Sequence, residues 1–170
     1  MALIVGTDTY ISLVDCDTYL TGHYPSTDTN IIAWNLLSDA NCETYLRRAA
    51  VIIDRQQLQG FKVLTTQTLE FPRILYSQYP FSAVVSPIPF QDKNWIAQTV
   101  VPDNVKHAQC EIAYQLLQGT PKRVELQRQG VKSIGLGKLS ESYKGGQNTI
   151  VSEEAKELLQ PYINKSFRIC

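Results

Sequence analysis

The sequence predicts a mainly α fold: a small helical bundle carrying a β-hairpin or extended arm and ending in a C-terminal helix and tail. Three observations lead there. Two amphipathic stretches, residues 38–55 and 103–118, repeat apolar side chains at helical spacing. The region between them is broken by prolines. Beyond residue 121 the chain turns glycine-rich before one last helical pattern.

Taken in order, Ser12 is placed to cap a first short helix, with Asp15 and Asp17 early in it where the helix dipole favours negative charge. Leu13, Cys16, Tyr19 and Leu20 then share a face, and the helix should end near Gly22. After Pro25, the segment from Asn30 to Leu37 reads as one or two helical turns that bury Trp34. Ser38 opens the clearest helix, in which Cys42, Leu46, Ala49, Ala50 and Ile53 form the apolar stripe while Glu43, Arg47, Arg48, Asp54 and Arg55 lie elsewhere. Gly60 follows its end. The second strong helix, from Asp103 to Gln118 behind Pro102, has Val105, Ala108, Ile112 and Leu116 as its stripe, and the two should pack together.

Residues 72–102 contain Pro72, Pro80, Pro87, Pro89 and Pro102 among Tyr76, Tyr79, Phe81, Phe90 and Trp95, which rules out a long helix and suggests an extended excursion that touches neighbouring chains. Val131 to Tyr143, with Gly135 and Gly137 interspersed, suggests strands or an open hairpin. Ser152 caps a final helix with Glu153 and Glu154 in its first turn, and Pro161 ends or kinks it. The organisation expected is a helical core over residues 1–121, with its long loop at 72–102, followed by a hairpin, helix and docking tail over 122–170.

Composition bounds the function. With 16 Lys+Arg against 16 Asp+Glu the chain lacks the basic surplus of a free-standing nucleic-acid binder. Charge is uneven, however: residues 1–121 hold seven cations and eleven anions, residues 122–170 nine and five, so the last third suits an acidic partner. Any attraction to DNA is expected to be weak, non-specific and centred on Lys132, Lys138 and Lys144. No apolar run is long enough to span a bilayer and the first residues lack a signal-peptide pattern, which predicts a protein made in a cytoplasm and no membrane partner.

Catalytic and cofactor chemistry find no support. Cys16, Cys42, Cys110 and Cys170 are scattered, as small buried apolar groups would be, with no disulfide framework. His107 and Cys110, at i and i+3, would supply half a metal site, but no further ligands are visible and His23 is distant, so no metal is expected. Gly135-Leu136-Gly137-Lys138 imitates a phosphate loop, yet Leu139 stands where Ser or Thr is needed and Lys132 where the first glycine belongs. The acid pairs at helix starts are explained by capping. No enzyme and no cofactor are therefore expected.

Several stretches resemble, in order, one family of tailed-bacteriophage proteins. Tyr10-Ile11-Ser12-Leu13-Val14-Asp15-Cys16-Asp17-Thr18-Tyr19-Leu20 is similar to that family's opening, and Trp34 and Leu46-Arg47-Arg48-Ala49-Ala50 follow as they do there. Leu69-Glu70-Phe71-Pro72-Arg73, the helix from Val101-Pro102 to Ala113, Val131-Lys132-Ser133 and Leu158-Leu159-Gln160-Pro161-Tyr162 extend the match. Residues 74–99 depart from its shorter pattern. The family is that of head-tail connector (adaptor) proteins, also described as DnaT-like single-stranded-DNA-binding proteins. The resemblance implies a subunit of a ring, commonly of twelve copies, that sits below the portal protein, meets a neck or tail completion protein, and lets genomic DNA pass through. Its place would be the virion neck, after assembly in the host cytoplasm. Tyr162, Ile163, Phe167, Arg168 and Ile169, apolar and basic groups appended after the last helix, are the expected contacts to the portal or a neighbouring subunit. The alternative is a single-stranded-DNA-binding protein.

Overall fold

A computed structural model describes residues 3–76, 95–119, 133–136, 139–142 and 152–164. Among these the fold is mainly α, organised around one central helix. Helix α1 (Leu13–His23) starts where the Ser12 hydroxyl accepts from the Asp15 amide at 3.1 Å and donates to the Asp15 carboxylate, so cap and first turn hold each other. It ends at His23, one residue past the expected glycine, as Tyr24 turns extended ahead of Pro25. Helix α2 (Thr29–Asn35) is capped by Asp28, whose carboxylate accepts from the amides of Asn30 and Ile31. Trp34 is buried as expected, and its indole N–H donates to Asp17 at 2.8 Å, tying α2 to α1.

Helix α3 (Asp39–Asp54) buries the five residues of its expected stripe. Helix α4 (Asp103–Leu117) lies at the centre, packed against α1, α2, α3 and the last helix, α5 (Glu153–Leu159). The fully buried Ala108 and Ala113 leave room for those neighbours to approach closely. This position widens its buried surface beyond the predicted stripe: Gln109, Cys110, Glu111, Ala113 and Tyr114 are buried too. A repeat of apolar residues marks one face, whereas a helix enclosed on several sides also buries polar groups if partners reach them.

Gln109 shows how. Its side-chain oxygen accepts from the Tyr10 amide at 2.8 Å, and its amide nitrogen donates to Thr9 Oγ1 at 2.6 Å and to the Leu46 carbonyl at 2.8 Å. The entry segment, α3 and α4 are thereby fixed to one another by a fully satisfied polar group. The three buried thiols Cys16, Cys42 and Cys110 are unpaired and serve as small core side chains, as the sequence suggests. Burial pushes the Cys42 thiol up to about 11, and the neighbouring Cys110 thiol, followed by burial, raises that of Cys16.

The proline-rich region is not wholly irregular. Strand β1 (Phe61–Lys62), strand β2 (Arg73–Tyr76) and strand β3 (Trp95–Ala97) make a small antiparallel sheet in the order β1-β2-β3, with Ile74 opposite Phe61 on one side and Ala97 on the other. Strands of two to four residues are too short for an alternating pattern to announce them. Gly60, at φ +72°, makes the approach possible, since a Cβ there would sit 1.9 Å from the Ile74 carbonyl oxygen. Arg73 is buried against the same turn, donating to the carbonyls of Gln59 and Gly60 at 2.7 Å and pairing with Glu70. The expected hairpin is present as strands β4 (Ser133–Leu136) and β5 (Leu139–Ser142), paired antiparallel from Ser133↔Ser142 to Leu136↔Leu139. Helix α5 is capped by Ser152 and buries Ala155 and Leu159 against α4. A single 3-10 turn, Gln160–Tyr162, follows at Pro161.

Candidate functional site

A cluster of titratable and aromatic side chains lies where α1, α4 and α5 meet. Helical spacing puts Tyr19 and His23 on one face of α1, four residues apart, and His107 and Glu111 likewise on α4. The Tyr19 ring stacks on His107 at 4.3 Å and on His23 at 5.2 Å, both at 15°. Tyr24 meets His23 edge-on at 5.3 Å and itself stacks on Tyr114 at 4.5 Å. The imidazole of His23 thus contacts two tyrosine rings.

Glu111 is the acid at the base of this cluster, only 2% exposed. Its two oxygens are taken by the hydroxyls of Tyr19, at 3.1 Å, and Tyr24, at 2.7 Å. Burial raises its carboxyl above the usual range, against the lowering effect of the two phenols. Burial and the neighbouring carboxylate raise both phenols in turn. Tyr114, which donates to Asp28 at 2.7 Å, is pushed up to about 12 chiefly by burial, while its hydrogen bond holds the Asp28 carboxyl below the ordinary range. Above Glu111, His23 Nε2 lies 2.7 Å from Glu154 Oε1 at the start of α5. One ligand atom each from His23, Glu111 and Glu154 can be chosen so that all lie within 4.8 Å of one another.

The sequence did not bring these residues together. His23 is 131 positions from Glu154, and Tyr24 is 87 from Glu111. The one local signal was an acid, Glu111, set between Cys110 and Ile112 in an otherwise apolar helix segment. His107 and Cys110, weighed as half a metal site, part company: the histidine stacks on Tyr19 and the thiol lies in the core.

Most of the described cations lie beside acids. Among the described residues Arg47, Lys62, Arg73, Lys106 and Lys156 each lie within 4 Å of a carboxylate, whereas Arg48 on α3 and Arg55 at its C-cap are exposed. Phe61 on the outer strand is 65% exposed, and Tyr76 stands opposite Trp95 in the ladder. Lys132, Lys138 and Lys144, expected to face DNA, lie outside the described residues, as do Phe167, Arg168 and Ile169 of the expected docking tail.

The remaining two tail residues are half-buried on the chain's own core. The Tyr162 ring meets Phe71 edge-on at 5.3 Å, and Phe71 continues to Tyr10 at 5.9 Å. Ile163 forms an antiparallel bridge with Leu58, and Gln59 donates to the carbonyls of Tyr162 and Ile163 at 2.7 and 2.8 Å. To this extent the chain folds back on itself.

Compared with known proteins, residues 1–169 match the model of a family described as "Putative DnaT-like ssDNA binding protein". No curated protein and no solved structure matches.

Proposed function

The chain belongs to that DnaT-like family, and we propose that within it the protein serves as a head-tail connector of a tailed phage. In this reading it is not an enzyme but a ring subunit below the portal, in the neck of the virion, through which the genome passes with weak contact. The observation that carries the proposal is the state of the cations. Five of the described Lys/Arg side chains have carboxylate neighbours within 4 Å, and the whole chain has equal numbers of acidic and basic residues. Each phosphate contact requires a cation that displaces counterions, so cations already paired with the chain's own acids grip DNA poorly. A DNA channel has that requirement. The motifs shared in order with head-tail connector proteins support this reading.

The second reading, single-stranded-DNA binding, is favoured by the family's description and by the exposed Phe61, since bases stack on such side chains. Two measurements on the full chain separate the readings. Native mass spectrometry with and without purified portal protein should show a ring formed on the portal. Anisotropy with a labelled oligothymidylate of about 16 nucleotides should show binding that fades at physiological salt. No association with portal, together with tight oligonucleotide binding in physiological salt, would replace the connector by the DNA-binding reading.

A further inference from the structure

We propose that His23, Glu111 and Glu154 form a binding site for one first-row divalent cation, Zn2+ being the best match, at the junction of α1, α4 and α5. The donor set is one imidazole and two carboxylates, each from a different helix. An imidazole with two carboxylates suits zinc and its neighbours better than Mg2+ or Ca2+, which take oxygen ligands alone. The ligand atoms lie within 4.8 Å of one another, and Zn2+ bonds of about 2.0–2.2 Å bring ligands to roughly 3.3–3.6 Å apart. The side chains free to make the adjustment are His23 and Glu154, 43% and 45% exposed.

The surroundings are those a metal site needs. Glu111 is oriented by hydroxyl donors on both oxygens, each of which keeps a further lone pair for a metal. His23 is packed against the rings of Tyr19 and Tyr24. The opening toward solvent at His23 and Glu154, 43% and 45% exposed, leaves a fourth position for water. Without a cation, His23 Nε2 and Glu154 Oε1 meet in a hydrogen bond of 2.7 Å. A cation bound between them takes the place of that hydrogen bond. Bound there, it ties α5 to α1 and α4. This inference does not depend on the connector reading.

The test uses untagged, chelator-treated protein in which Cys170 is replaced by serine, titrated calorimetrically with Zn2+, Mn2+ and Mg2+. One Zn2+ per chain, with a raised melting temperature, is expected, and Mg2+ should be much weaker. His23→Gln and Glu154→Gln, both at partly exposed positions, should each weaken Zn2+ binding at least about 100-fold. Tyr24→Phe, which removes only a partner of a ligand, should fall within the ~10–100-fold range of such losses. Co2+ in place of Zn2+ should show no thiolate charge-transfer absorption. The proposal is overturned if the parent protein binds no Zn2+, if both glutamine variants bind it as the parent does, or if cobalt reports thiolate ligation.

Discussion

Replacing Gln109 by leucine tests whether the centre of the fold is held by a polar group rather than by apolar packing alone. Leucine fills similar space but removes three buried hydrogen bonds, at 2.8, 2.6 and 2.8 Å. The Leu46 carbonyl is a helix acceptor and Thr9 Oγ1 still donates to the Ile11 carbonyl, so the principal loss is a Tyr10 amide left in the core without an acceptor. A buried donor stripped of its partner costs about 1–3 kcal/mol, and the two weakened bonds add roughly 0.5–1 kcal/mol each. The expected loss is about 3 kcal/mol, or ~6–12 °C in melting temperature for a chain of this size. Thermal unfolding followed by circular dichroism and calorimetry reads it directly. Gln109→Glu supplies a second arm: its carboxylate still accepts from Tyr10 but cannot donate to Thr9 or Leu46, so it should be worse than leucine at neutral pH and recover on acidification. A melting temperature for Gln109→Leu within about 2 °C of the parent would refute the reasoning.

Three further outcomes are expected. Tyr162→Ala removes a half-buried ring and its edge contact with Phe71, which should lower monomer stability by about 2 kcal/mol in denaturant titration; a ring reserved for a partner would leave the monomer unchanged. Burial raises the Asp54 carboxyl above its ordinary value despite the hydrogen bond from Tyr10, so the folded state holds this proton longer than the unfolded one. Its contribution to stability should therefore decline as pH rises from about 4 through the raised folded value, and Asp54→Asn should flatten that slope in unfolding measured across the range. With Cys170 replaced by serine, Cys16, Cys42 and Cys110 should react with a thiol reagent only as fast as the protein opens; rapid labelling in native buffer would contradict their burial.

The helices were legible because their signals are local. Ser12, Ser38 and Ser152 stand at the N-caps, and the stripe Cys42, Leu46, Ala49, Ala50, Ile53 is the buried face of α3. The hairpin was legible from glycines and alternating apolar residues. Strands β1 to β3 were not, because strands so short depend on Gly60 admitting the Ile74 carbonyl and on Arg73 filling the turn, both contacts across more than ten residues.

By itself, then, the sequence determined the α class, the order of the helices and which face of each is apolar, because a 3.6-residue repeat and a capping side chain act within one or two turns. Tertiary structure alone decided that α4 lies at the centre, and with it the fate of the polar residues off its stripe. Gln109 is buried because Thr9, Tyr10 and Leu46 present it with matched donors and acceptors. Glu111 is buried because Tyr19 and Tyr24 close over it, and it meets His23 and Glu154 only once α1 and α5 have docked. A periodic pattern records which side of a helix avoids water, but not which distant side chains arrive to satisfy the others.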